Sequence, residues 1–123
     1  MSKQRIELGK QGEALALKYL KKHRYKILEQ NYKSQFGEID IIAKNKDVLA
    51  FIEVKTRKST EFGLPQDSVD MRKQRQIAKV ALDYLAKMNI QDTDCRFDVV
   101  AITCLPDKKP KIELIKDAFY IEE

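Results

Sequence analysis

The sequence has few of the side chains that build zinc sites and disulfides. Among 123 residues there are two cysteines and a single histidine. Cys95 and Cys104 bracket one predicted strand, and their spacing at strand rise corresponds to about 30 Å, far beyond the reach of a disulfide. A zinc site would lack ligands. Any metal would therefore have to be a hard cation held by carboxylates.

Chain breakers and long apolar runs are also scarce. The sequence contains four glycines and three prolines, and 43% of its residues are hydrophobic, which excludes a low-complexity chain. The length suits one domain. No apolar run is long enough to span a bilayer, and residues 1–13 lack the apolar segment of a secretory signal. We therefore expect a single cytoplasmic domain, residues 1–123, without membrane association.

Basic residues exceed acidic ones by a modest margin. There are 24 lysines and arginines against 19 acids, which gives a net charge of +5. Such an excess favours a polyanionic partner, but a lysine-rich solvated surface accounts for it equally well.

The first helix and three strands follow from hydrophobic periodicity. Residues 5–23 form an amphipathic helical pattern. It ends in basic residues that suit the negative end of the helix dipole, so we interpret His23 as a surface cap and not as a catalytic base. A strand is expected around residues 25–32, and two more lie on either side of a polar turn at Lys44–Asp47.

A second helix and two further strands complete the expected domain. The helix runs from about residue 68 to residue 88, with Asp67 or Ser68 as its cap. The strands cover residues 95–104 and 111–121. The order α-β-β-β-α-β-β predicts an α/β fold with a mixed sheet. In it the long helix is a right-handed crossover to a parallel strand, and helices pack on both faces.

Three charged residues interrupt the apolar hairpin "GEIDIIAKNKDVLAFIEVKT". A turn at Lys44–Asp47 would place Asp40 opposite Phe51, with Glu53 as its diagonal neighbour on the same face. Diagonal carboxylates about 7 Å apart at Cβ can reach one ion, and magnesium accepts one or two carboxylates. Lys55 would point at the same spot. The Glu-x-Lys triplet alone indicates little, because a solvated charged pair explains it and chance supplies about one in this composition.

Two more charged residues fall on apolar helical faces. Glu13 shares a stripe with Gly9, Ala16, Leu17 and Leu20. Lys73 lies four residues from an apolar residue on either side. Buried charges need partners, and a charged site on the sheet would supply them. The alternative is that both side chains reach solvent at the edges of their stripes.

An ordered set of motifs covers most of the chain: "GKQGEALALKYL", "ILEQNYKSQFGEIDIIA", "LAFIEVKTR", "FGLPQDSV" and "RFDVVAI". In order and spacing they resemble the YraN-like family of small bacterial proteins, which is allied to archaeal Holliday-junction resolvases and the PD-(D/E)xK nucleases. The resemblance implies a restriction-endonuclease-like fold. It also implies that Glu13, Asp40, Glu53 and Lys55 occupy the nuclease positions, although Ile39 replaces the proline of the superfamily motif.

The expected activity is magnesium- or manganese-dependent hydrolysis of phosphodiesters, with DNA as the expected nucleic acid. Asp40, Glu53 and the Val54 carbonyl would hold the metal. By resemblance to junction resolvases, the DNA would be branched and the protein a homodimer. Two alternatives stay open: a catalytically silent nucleic-acid-binding accessory module of recombination or repair, and a protein-interaction domain.

Further basic residues are candidates for contacts with the phosphate backbone. They lie after the hairpin and along the long helix: Arg57, Lys58, Arg72, Lys73, Arg75 and Lys79. The loop that starts at Arg57 would hold substrate or simply connect two elements. Asp98 is different, because it shares a strand face with Arg96 and is expected to form a structural ion pair.

Overall fold

The computed structural model describes residues 3–59 and 63–120, and it confirms the expected α/β order. The elements are α1 (Lys3–Lys22), β1 (Lys26–Ser34), β2 (Gly37–Asn45), β3 (Val48–Lys58), a 3-10 helix (Pro65–Ser68), α2 (Met71–Lys87), β4 (Asp94–Cys104) and β5 (Lys111–Ile115). No helix in these ranges is long and apolar enough to cross a membrane.

The five strands form one mixed sheet in the order β1-β2-β3-β4-β5. Only the β3–β4 pair is parallel, and the other three pairs are antiparallel. A parallel pair needs a long connection, and α2 lies in it, as predicted. Residues 98–102 of β4 are buried, which fits a strand that is covered on both faces.

The register of the β2–β3 hairpin differs from the prediction by two residues. The turn is Lys46–Asp47, so Asn45 lies opposite Val48 and Ile42 lies opposite Phe51. Lys46 adopts a positive φ of 56°. A lysine in the sequence does not predict this conformation. The predicted pairing of Asp40 with Phe51 is therefore wrong. Because side chains alternate with period two, a shift of two leaves every residue on its predicted face.

Helix α1 packs on one face of the sheet. Its contact stripe is Gly12, Ala16 and Leu20, all buried. The predicted stripe contained Gly9, which is exposed. Gly12 lies against Thr56 of β3, where a Cβ atom would overlap the threonine hydroxyl. The glycine thus lets α1 approach the sheet closely.

Helix α2 packs on the opposite face through its buried apolar side chains. They are Ile77, Val80, Ala81 and Tyr84. The helix begins at Met71, and its cap is Asp70, whose Oδ1 accepts a hydrogen bond from the Lys73 backbone N–H at 2.9 Å. The predicted caps, Asp67 and Ser68, belong instead to the preceding 3-10 helix.

The strand carboxylate Asp98 is structural, as predicted. Arg96 Nε lies 2.8 Å from Asp98 Oδ1, and Arg96 Nη2 also donates to the Tyr25 hydroxyl at 2.8 Å. The Asp117 backbone N–H donates to Asp98 Oδ1 at 3.0 Å. This network fixes the turn after β5, which ends at Ile115. The predicted strand continued to Ile121, but residues 116–120 do not belong to a strand, so this prediction is wrong for them. Ile121 lies outside the described residues.

Candidate active site

Strands β2 and β3 part beside the predicted carboxylates. Their paired residues end at Ile41 with Ile52, whereas β3 continues to Lys58 along β4. Asp40 lies just past the last pair. Its Oδ2 accepts a hydrogen bond from the Val54 backbone N–H at 2.8 Å. The carboxylate thus takes the place of a strand partner at the fork.

Glu53 is buried at the same fork. It is 7% exposed, and its Oε2 has no hydrogen-bond partner in the described part of the chain. The nearest cation is the Lys73 ammonium, whose Nζ lies 3.6 Å from that oxygen, beyond hydrogen-bond length. A buried carboxylate oxygen without a donor costs free energy. Such an atom is typical of a site that receives a ligand.

The neighbouring carboxyl groups perturb each other. Burial, together with a hydrogen bond to Glu53 and the Glu53 charge, raises the pKa of Asp40 to about 8, although the Val54 N–H and Lys73 act in the opposite direction. The carboxyl pair therefore holds a proton more tightly than an isolated aspartate does. Two carboxyl groups that hold one proton between them attract a cation that can replace that proton.

Glu13 approaches the pair from α1. Burial and the charge of Asp40 raise the pKa of this half-buried carboxyl, and a hydrogen bond with Asn31 lowers it. The close approach of Gly12 to β3 brings the next residue, Glu13, to this place. Asn31 was not predicted as part of the site. Its positive φ of 51° within β1 is a local irregularity that a strand pattern does not reveal.

The two predicted lysines differ in their contacts with the carboxylates. Lys73 contacts Glu53 as predicted from its apolar neighbours on α2. Lys55 was expected to point at the carboxylates, but within residues 3–59 and 63–120 it forms no ion pair with either one. It lies in the wall of a pocket of about 490 Å3 next to the fork.

The remaining predicted basic residues separate into two groups. Arg57 lines the same pocket as Lys55, and Lys58 is exposed beside it. Three of the predicted residues are exposed on α2: Arg72, Arg75 and Lys79. Of these, Lys79 Nζ lies 6.0 Å from the centroid of the Phe36 ring. Part of the predicted substrate loop, residues 60–62, lies outside the described residues.

The donor set can be compared with what different metals require. Among the described residues, no three histidine, cysteine, aspartate or glutamate side chains gather as a complete metal cage. Zinc and calcium cages need more protein ligands than the fork offers. Magnesium and its analogue manganese fit better, since magnesium accepts one or two carboxylates and takes its other ligands from water and phosphate.

Comparison with known proteins places the chain in a family. The model described as "Uncharacterised protein family UPF0102" matches residues 12–102. This chain belongs to the UPF0102 family. The matched range contains Glu13, Asp40, Glu53, Lys55 and Lys73, so the fork lies wholly within the region that defines the family.

UPF0102 relatives cover almost the whole chain. A UPF0102 protein of Geotalea daltonii is 53% identical over 112 residues, which are 91% of this chain and 88% of the relative. One from Geobacter metallireducens is 50% identical over 97% of both chains. One from Syntrophus aciditrophicus is 49% identical over 94% of this chain and 91% of its own. The chain therefore corresponds to nearly the full length of these family members.

Proposed function

We propose that this UPF0102 protein is a metal-dependent endonuclease that acts on DNA. One observation carries the proposal: Asp40 and the buried Glu53 meet at the fork, and Glu53 Oε2 has no hydrogen-bond partner among the described residues. A purely structural carboxylate would be expected to resemble Asp98, whose oxygens have donors from Arg96 and a backbone N–H. The contrast favours a site that is built to receive a cation.

Asp40 and Glu53 would hold magnesium or manganese, and the Val54 carbonyl is a candidate third ligand. When bound, the metal would supply Lewis-acid chemistry, polarising a phosphate oxygen and lowering the pKa of water. Without a cation, the negative charge at the fork repels phosphate. The two carboxylates and the substrate phosphate therefore need the same ion.

The other charged residues have supporting roles. Glu13 is close enough to Asp40 for the charge of Asp40 to raise the pKa of Glu13. Glu13 would orient a water molecule at the fork. Lys55 would offset negative charge on the phosphate from the neighbouring pocket. The basic residues outside the fork would contact the sugar–phosphate backbone without reading sequence. The residues proposed for that contact are Arg57, Lys58, Arg72, Arg75 and Lys79.

The resemblance to junction resolvases extends the proposal. The order of elements and the mixed sheet agree with a restriction-endonuclease-like domain. Branched DNA in the cytoplasm would be the substrate, and a homodimer would present two equivalent sites to two strands.

A cleavage panel tests the proposal. Single-stranded, duplex, flap and four-way-junction DNA would each be incubated with magnesium, with manganese and with chelator. We expect metal-dependent nicking that Glu53→Gln abolishes. DNA binding by that variant should persist, because Glu53 contributes no positive charge. Absence of cleavage of every substrate with both metals would refute the nuclease.

A second candidate is an accessory module that binds nucleic acid without cutting it. Lys55 favours this reading, since it forms no ion pair with the carboxylates in the described part of the chain. Affinity with a steep dependence on salt, combined with inactivity in the cleavage panel, would support this candidate. Weak binding with a flat salt dependence would favour the protein-interaction domain instead.

A further inference from the structure

A pocket beside the fork is larger than a single phosphate needs. Its volume is about 490 Å3, and it lies between the end of β3 and the 3-10 helix. Lys55, Thr56 and Arg57 form part of the strand side, and Leu64 and Pro65 contribute to the opposite side. Pockets of this size hold small organic ligands.

Arg57 lines this pocket and is held in place by a hydrogen bond. Its Nη1 donates a hydrogen bond to the Gly63 carbonyl at 2.6 Å, which fixes the guanidinium. Its Nε is buried and has no hydrogen-bond partner in the described residues. A buried donor without an acceptor is costly, and guanidinium groups match the geometry of phosphate. A guanidinium in the pocket lining therefore favours an anionic ligand.

The charge of the pocket supports an anion. Lys55 places a second cation in the same lining as Arg57. Asp67 is an acidic residue of that lining, but it is exposed. Among the described residues it forms no ion pair with either cation. Within residues 3–59 and 63–120, neither cation is therefore neutralised by an ion pair.

The opposite side of the pocket carries an apolar patch. Leu64 is 60% exposed although it is a large hydrophobic side chain, and Pro65 next to it is buried. Inorganic phosphate would use only the cationic side. A nucleotide would use both sides, with its phosphate on the cations and the face of its base on the leucine. Bases of an intact duplex are stacked and cannot present that face.

We propose that this pocket binds one unpaired nucleotide of the substrate, with its phosphate against Lys55 and Arg57 and its base against Leu64. The inference rests on the proposed function for its choice of a nucleic acid. Because Lys55 lies two residues from Glu53 on the same strand, the unpaired nucleotide lies next to the fork. The preferred substrate is therefore a flap, a branch or a single strand and not a blunt duplex.

Binding without metal tests the pocket separately from catalysis. Affinity would be measured by fluorescence anisotropy in chelator for a single strand, a blunt duplex and the same duplex with a single-stranded flap. The test variants are Arg57→Gln and Leu64→Ala. Leu82→Ala is the matched apolar control, since Leu82 is 66% exposed on α2. Arg75→Gln is the matched charge control.

Each test variant should weaken binding of the flap and the single strand by about five- to tenfold, since contacts to an unpaired base contribute at about that level. Its affinity for the blunt duplex should change by less than about twofold, within the effect of one lost backbone contact. Arg75→Gln should weaken all three ligands alike, and Leu82→Ala should weaken none. If Arg57→Gln fails to fold by circular dichroism, Leu64→Ala decides, because Leu64 is exposed.

The proposal is overturned if Leu64→Ala behaves like Leu82→Ala, if Arg57→Gln weakens flap and duplex equally, or if no nucleic acid binds. Its fate can be separated from that of the nuclease. If the protein cleaves DNA but Arg57→Gln and Leu64→Ala leave its affinity for the flap and the single strand unchanged, only the pocket proposal is refuted. Pocket-dependent binding without cleavage would refute the nuclease alone.

Discussion

Asp40→Asn distinguishes a metal-binding fork from a structural ion pair. The asparagine side-chain oxygen can keep accepting the Val54 N–H, which lies 2.8 Å from Asp40 Oδ2. Its NH2 group can donate to Glu53, whose Oε2 otherwise has no hydrogen-bond partner among the described residues. Protonated Asp40 already donates to Glu53, whereas the asparagine supplies this donor at every pH and removes the repulsion that arises when Asp40 ionises. We therefore expect the metal-free variant to be more stable than wild type near neutral pH.

The magnitude follows from the pKa of Asp40. Burial and Glu53 raise it from 3.8 to about 8. A raised pKa in the folded state stabilises the fold below the unfolded value and loses that contribution as pH rises towards the folded value. One pKa unit corresponds to about 1.4 kcal/mol. Because Asp40 is partly exposed and shares its proton with Glu53, we expect a gain of about 1–3 kcal/mol at pH 7–8.

Thermal melts near pH 5 and near pH 8, each with chelator and with saturating magnesium, measure this effect. A gain of 1 kcal/mol should raise Tm by about 4 °C in a domain of this size. The gain in stability of Asp40→Asn over wild type should grow from pH 5 to pH 8, since the Asp40 carboxyl titrates in this range and asparagine does not. Stabilisation by magnesium should shrink in the variant, because a ligand stabilises only the state that binds it.

Asp98→Asn is the matched control. Asp98 is also a buried strand carboxylate, but it is paired with Arg96. Its replacement leaves the Arg96 guanidinium without its carboxylate partner. The free energy of unfolding should fall by about 3–5 kcal/mol whether or not magnesium is present. A loss of that size in Asp40→Asn, independent of metal, would refute our reasoning and make Asp40 a structural residue.

Three further outcomes are expected. Lys73→Met should tighten magnesium binding several-fold by calorimetry and lower the metal-free Tm, because the ammonium 3.6 Å from Glu53 Oε2 competes with the metal; unchanged affinity would contradict this. Gly12→Ala should lower the free energy of unfolding by about 1–3 kcal/mol through overpacking against Thr56, and Thr56→Ala should restore much of the loss in the double variant, as chemical denaturation would show. The slope of log affinity for DNA against log salt should flatten by up to about 3 units when three exposed residues are replaced by alanine, and an unchanged slope would assign them to the solvated surface. These residues are Arg72, Arg75 and Lys79.

Much of the fold can be predicted because the sequence signals are periodic. Alternation along β2 and β3 places Asp40 and Glu53 on one face, and that conclusion survives the two-residue error in the register. The error arises at Lys46, where a positive φ occurs without glycine. The start of α2 was misplaced for a similar reason, since Asp67, Ser68 and Asp70 are all competent caps and sequence does not rank them.

The contacts of the side chains at the fork could not be derived from strand spacing alone. Period two gives a face but assumes that the strands stay together, and β2 and β3 separate after Ile41 and Ile52. Past that point β3 follows β4, and Lys55 borders the pocket beside the 3-10 helix. Lys73 was placed correctly because its apolar neighbours on a continuous helix fix its direction without reference to any strand pair. Charged residues on a packed helix face are therefore better guides to a buried site than charges that lie beyond the end of a hairpin ladder.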